Sequence, residues 1–256
     1  MARNDVWTRE QLIMALNVYC KIPFKDVHEW HPIIQKYAPL IGRSANALKM
    51  KVGNYGRFDP ALKAKGIVGL SNGSKAEENI WNEFWGNPEK LAYESERLFA
   101  ESAGSTIEDY SKIDETKLPE GKEREVIVRQ RVNQQFFRET VLTSYLYQCC
   151  ITGITNIPLL EACHISSWAE DEENRTNPKN GLCMNPLFHR AFDKHLFTIT
   201  PDYKIVISEK MMSGTKDDVF LDYLQNIHGR SIIVPEKFSP DVDLLAKHYE
   251  EYLKYI

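Results

Sequence analysis

The chain has 256 residues, 43% hydrophobic and 27% charged with a formal net charge of −4, which is the make-up of a globular protein with room for one large or two smaller domains. Its opening, MARNDVWTREQL, holds no apolar run of signal-peptide type, and no segment approaches the roughly 18 consecutive apolar residues needed to span a bilayer. A membrane span is therefore excluded, the cytoplasm is the expected compartment, and the five cysteines (Cys20, Cys149, Cys150, Cys163, Cys183), lacking the even spacing of a secreted disulfide framework, are read as reduced.

Thr8 followed by Gln11 is a capping-box pattern, and Leu12, Ile13, Leu16 and Tyr19 continue it at helical spacing, so a first helix is expected there. His31-Pro32 starts a second helix through PIIQKYAPLIG, with Pro39 able to break or kink its last turn and Gly42 a stop. Ser44 caps a third, ANALKMKVGN, closed by Gly53, with Ala45, Leu48 and Val52 on one face and Asn46, Lys49 and Met50 on the other. Three short helices with a basic, amide-bearing third fit a helix-turn-helix-like reader of DNA contacting it through Asn46 and Lys49, and a plain helical bundle fits the same pattern.

Trp81 and Trp85, one helical turn apart beside Ile80 and Phe84, read as core, and Gly86-Asn87-Pro88 closes that segment. Residues 101–121 are polar and rich in turn formers, so they are the expected linker between a helical DNA-binding domain at 1–100 and a second domain at 122–256. Charge follows a similar division. Residues 1–75 hold twelve Lys/Arg against five Asp/Glu, residues 76–120 four against twelve, and the remainder sixteen against nineteen. A basic head thus precedes an acidic neck, and a locally basic domain supplies the salt-dependent attraction of a phosphate binder. Beyond the linker a long helix is expected from Lys122 to about Tyr147, with Arg124, Arg129, Arg131 and Arg138 beside Val128, Val132, Phe136 and Leu142.

The densest chemistry lies between residues 149 and 199. LLEACHIS reads as a strand with Leu160, Ala162 and His164 on one side and Glu161, Cys163 and Ile165 on the other. A polar loop, SWAEDEENRTNPKN, leads to the short strand GLCM, after which Asn185 caps a helix beginning with Pro186. His189 and Asp193 are four residues apart on that helix and share a face. One histidine from a strand and a His/Asp pair from a helix can converge as metal-assisted phosphodiester hydrolysis requires: a neutral imidazole to take a proton from water, and a cation held by His and carboxylate.

This stretch resembles the HNH nuclease family in CITG at 150–153, LEACHI at 160–165, NGL at 180–182 and HRAFD at 189–193, with His164, Asn180 and His189 as the letters of the motif. The resemblance implies an α+β protein, a helical, helix-turn-helix-like N-terminal domain followed by a C-terminal ββα-metal HNH nuclease domain. It implies double-stranded DNA as partner and a divalent metal ion, Mg²⁺ or Mn²⁺, with Ni²⁺ or Zn²⁺ also compatible. His164 would be the general base, Asn180 would tie the loop to the active-site backbone, His189 would be a metal ligand and Asp193 a second one, and Arg190 would either contact the scissile phosphate or be a plain surface arginine. Many members place an Asp before the base histidine as a ligand, whereas this chain has Cys163, a soft donor poorly matched to Mg²⁺ and read as a packed core residue, leaving Glu161 or water to fill the place. The other cysteines form no pair of Cys-x-x-Cys knuckles, so no Cys₄ zinc site is expected. His195, His228 and His248 are read as structural.

RVNQQFFRETVLTSY before the motif and FTITPDYKIVIS after it look like the flanks of HNH domains in bacterial restriction-type proteins, as do WTREQL and IGRSANALKMKVGNY near the N-terminus, which implies restriction or phage defence. A single constellation per chain is expected to nick, and cutting both strands calls for a homodimer. Two other readings fit the same residues: a catalytically inactive HNH-fold DNA-binding regulator, for which the Cys163 departure speaks, and an RNA-directed or toxin-type nuclease.

Overall fold

The structure is a computed structural model that describes residues 6–67 and 74–256; the reading of the N-terminus as free of a leader rests in part on residues 1–5, which lie outside them. The chain divides into two compact units, Met1–Thr143 and Ser144–Ile256. No helix among the described residues is long and apolar enough to cross a membrane.

In the first unit α1 (Arg9–Lys21) opens on the expected capping box, Thr8 Oγ1 accepting from the Gln11 amide at 3.3 Å and Gln11 Oε1 from the Thr8 amide at 3.2 Å. It is buried on every face from Leu12 to Lys21, because α2 (Pro32–Ile41), α3 (Ala45–Tyr55) and, after the short α4 (Pro60–Ala64), α5 (Lys75–Phe84) and α6 (Pro88–Ser102) include four helices that pack around it. Pro39 sits inside α2 without breaking it, and the helix ends at Gly42 (φ 71°), where the Arg43 amide bonds back to the Ala38 carbonyl at 3.0 Å. α3 runs past Gly53, the expected stop, to Tyr55. That ring is buried and its hydroxyl donates to the Leu12 carbonyl at 2.9 Å, so packing on α1 outweighs the local weakness of glycine. Trp81 is core as expected, stacked on Trp85 at 4.2 Å and edge-on to Tyr19 at 5.8 Å.

Residues 101–121 are more than a connection. They carry α7 (Ile107–Tyr110), whose Tyr110 stacks on Phe99 of α6 at 6.2 Å, and their Glu108 and Glu115 hold Arg124 at 3.1 and 2.5 Å. The division falls later than the expected boundary. α8 (Lys122–Ser144) packs with the helical unit through buried Val128, Val132 and Phe136, and its Glu139 lies 2.9 Å from Lys21 of α1.

In the second unit β1 (Glu161–His164) pairs antiparallel with β2 (Gly181–Met184), His164 opposite Gly181 and Glu161 opposite Met184. α9 (Pro186–Asp193) follows, capped by Asn185 Oδ1, which accepts from the Phe188 amide at 3.0 Å. The hairpin of β3 (Phe197–Ile199) and β4 (Ile205–Ile207) comes next, then α10 (Glu209–Gly214), α11 (Asp218–Ile227) and α12 (Val242–Leu253). α9 packs on β1 and β3, and α12 on β3. Two small antiparallel sheets among many helices make the protein α+β.

Candidate active site

β1, the loop that follows it and α9 bring side chains to one cavity of about 710 Å³, lined by His164 from the end of β1, by His189 and Asp193 from α9, and by Trp168 from the loop between the strands. His164 Nε2 lies 2.9 Å from the Arg175 carbonyl and can meet it only as a donor, so the lone pair of the neutral ring is on Nδ1. The acceptor is itself held in place. Arg175 Nε donates to the Trp168 carbonyl at 2.5 Å, its guanidinium lies 5.5 Å from the Trp168 ring, and that ring stands edge-on to His164 at 5.6 Å. Burial pushes His164 below the ordinary imidazole range, further than the Arg175 carbonyl raises it, so the ring is neutral at pH 7.

Asn180 is the clasp of the loop. Its Oδ1 accepts from the Ser166 amide at 2.8 Å, and its Nδ2 donates to the Ser166 carbonyl at 3.0 Å and to the Asn174 carbonyl at 3.1 Å. The side chain is fully buried, so replacing it by an apolar one would strand three backbone groups. Asn174 continues the network to Asp171 and Asn177, which stiffens the segment that carries the Arg175 carbonyl.

On the other face of β1, Glu161 and Cys163 turn toward His189. Glu161 Oε2 lies 2.6 Å from His189 Nδ1, a contact that puts the proton on Nδ1 and the lone pair on Nε2, the atom 3.6 Å from Asp193 Oδ2. Cys163 Sγ completes a group with His189 and Asp193 in which one ligand atom from each lies within 4.8 Å of the others. Burial pushes the Cys163 thiol well up, and the Asp193 and Glu161 carboxylates push the same way, so without a cation it stays protonated. A sulfur, a nitrogen and an oxygen donor beside a further carboxylate fit a divalent ion, and the sulfur favours a transition metal over Mg²⁺. The expectation that Cys163 is a packed core residue is therefore half the finding: it is wholly buried, and it also faces the candidate metal position.

Of the other expected site residues, Arg190 is exposed on α9 and does not line the cavity. Asn46 is exposed and Lys49 half-buried on α3, on the side away from buried Leu48 and Val52. His228 accepts from the Ile207 amide at 3.2 Å, and His248 is buried with Nδ1 2.8 Å from Thr198 Oγ1, both in structural roles. His248 lines the cavity as well, and so does His195. The Arg175 carbonyl and Trp168 were invisible in the motif, because a backbone acceptor carries no residue type. The run of amides at 174, 177 and 180 was the one trace of a hydrogen-bonded loop.

Residues 149–200, which contain β1, β2, α9 and the side chains of Glu161, Cys163, His164, Asn180, His189 and Asp193, match the family model described as HNH endonuclease. Comparison with curated proteins finds no match.

Proposed function

From the premise that the chain carries an HNH endonuclease domain at residues 149–200, we propose that it hydrolyses phosphodiester bonds of double-stranded DNA with His164 as general base. The observation that carries this reading is the His164 Nε2 contact to the Arg175 carbonyl, which commits Nδ1 to accepting a proton in the cavity shared with His189 and Asp193. His189 and Asp193 would hold the divalent ion, and Cys163 would offer it a third donor, better suited to Ni²⁺ or Zn²⁺ than to Mg²⁺ or Mn²⁺. When bound, that ion would supply stabilisation of charge on the phosphate and on the departing 3′ oxygen.

The chain's own part is to orient and to move a proton. His164 Nδ1 takes a proton from water as the water oxygen bonds to phosphorus. The bond from phosphorus to the 3′ oxygen breaks, and that oxygen is protonated from solvent, leaving a 5′ phosphate and a 3′ hydroxyl. Asn180 and the Arg175 carbonyl keep the imidazole in the tautomer this needs.

The helical unit would position DNA through Asn46 and Lys49, and Arg190 would reach a phosphate from the outer side of α9. The likeness of the flanking segments to restriction-type proteins supports a role in restriction or phage defence, with the cytoplasm as the compartment in which it would act. The test is supercoiled plasmid incubated with the protein and Mg²⁺, Mn²⁺, Ni²⁺ or Zn²⁺, with a chelator control. Nicked or linear DNA with 5′ phosphate ends is expected with at least one ion, and intact plasmid under all of them would overturn the proposal.

A further inference from the structure

The cavity that holds the metal group and His164 has a second wall made of rings. Phe192, 1% exposed, stacks on His248 at 3.7 Å with the planes 3° apart; His248 lies 4.9 Å from His195; and His195 stacks on Tyr255 at 4.5 Å and 11°. The series starts in the core under α9 and ends on Tyr255, which lines the cavity and is 58% exposed.

His195 stands where a helix end usually carries glycine. Its φ is 51°, its amide bonds to the Phe192 carbonyl at 2.9 Å, and the Leu196 amide bonds to the Ala191 carbonyl at 3.0 Å, the geometry of a left-handed helix stop. Its Nδ1 is buried with no hydrogen-bond partner among the described residues. Glycine would avoid both the backbone strain and the desolvated nitrogen. What the imidazole adds is the ring that joins His248 to Tyr255.

Charge then decides what this wall can receive. Away from the metal group, Glu170, Glu250 and Glu251 line the cavity against one ammonium among the described residues, that of Lys247, so this part repels a phosphate. A nucleobase is uncharged, has a flat face for a ring, and in adenine, cytosine and guanine presents an amino group that a carboxylate can accept from.

We propose that Tyr255, backed by His195 and His248, is a stacking platform for an unpaired, amino-bearing nucleobase of the strand being cut. The proposal rests on the nuclease reading of the same cavity and adds to it that a base leaves the duplex stack beside the scissile bond. Tyr255 is then a substrate-binding residue and His195 a positioning residue acting through it.

The experiment uses the full chain in chelator, where cleavage stops and binding is read alone. The probe is a short single-stranded oligonucleotide carrying one 2-aminopurine. Binding should quench its fluorescence. Tyr255→Phe and Tyr255→Trp should keep the quench, while Tyr255→Ala should lose it together with about 5- to 100-fold in affinity, the range for one base stacked on an aromatic ring. His195→Gly should weaken the quench while leaving the thermal midpoint unchanged or higher, which separates lost positioning from lost folding. An equal quench in Tyr255→Ala, or a parent protein that cuts plasmid yet never quenches the probe, overturns the platform and leaves the nuclease reading standing. A parent that neither cuts plasmid nor binds either form of DNA overturns the nuclease reading itself.

Discussion

His164 holds its place through the Arg175 carbonyl and the Trp168 ring, so truncating it removes a proton acceptor together with these two local contacts. His164→Ala is expected to bind DNA as the parent does and to cleave about 10²- to 10⁴-fold more slowly, the usual contribution of a general base. Initial nicking rates and gel shifts measure the two effects, and a rate within a few-fold of the parent would remove His164 from the mechanism. Cys163 supports a second expectation, about which ion works. Its sulfur lies beside His189 and Asp193, and the commoner motif has a carboxylate there, so the parent should favour Zn²⁺ or Ni²⁺ over Mg²⁺. Cys163→Asp should shift that order toward Mg²⁺. It should also lower the thermal midpoint of the metal-free protein, because it adds a buried carboxylate next to Asp193. Cleavage assays across the four ions decide it, and an unchanged order would take Cys163 out of the ligand set. At this scale the motif letters were legible because their spacing alone carries His164 onto β1, Asn180 to the residue before β2, and His189 and Asp193 onto α9. The contact of Glu161 with His189 needed the packing of α9 on β1 to be seen.

Among the elements, α12 docks on β3 through a group that senses pH. His248 packs against Phe192 and contacts Thr198, and burial, aided by neighbouring His195, lowers its pKa to about 4 from an ordinary 6.5. Above pH 6.5 the ring is neutral whether folded or unfolded, and its contribution to stability is complete. As the pH falls toward 4 the unfolded chain takes up the proton first, so stability declines through this window by at most on the order of 3 kcal/mol. His248→Phe keeps a ring in the stack and removes the proton. The fall in thermal midpoint between pH 7 and pH 5 should therefore be smaller in His248→Phe than in the parent, and equal falls would assign the acid sensitivity to other groups. The ends of elements were easier to read than their surroundings. Thr8, Ser44 and Asn185 cap α1, α3 and α9 as expected, because a cap is a contact with an amide three residues away. The all-round burial of α1 and the passage of α3 through Gly53 depend on helices distant in sequence, as in the bond from Tyr55 to Leu12, and no local pattern encodes them.

Over the whole molecule, the charge pattern along the chain is a poor guide to the charge pattern in space. The acidic neck folds onto the basic head within one unit: Arg9 pairs with Glu83 at 2.7 Å, Lys51 with buried Glu77, and Lys21 with Glu96. Part of the positive excess of residues 1–75 is thus neutralised internally, while Glu108 and Glu115 pair with Arg124 of α8 and tie residues 101–121 to the helical unit although their composition reads as a linker. Catalytic output follows from counting sites. Among the described residues one candidate metal group shares a cavity with His164, and on the proposed reading such a site acts on one strand per encounter, so one bound chain is expected to nick. The two strands of a duplex run antiparallel, and a two-fold dimer would present one site to each, which makes double-strand cleavage a property of self-association. At low protein concentration nicked circles should accumulate first, and linear product should rise more steeply than in proportion to protein. Plasmid time courses over a protein dilution series, with sedimentation at the same concentrations, measure both quantities. Linear DNA formed in a single step by a protein that sediments as a monomer would show that one chain reaches both strands.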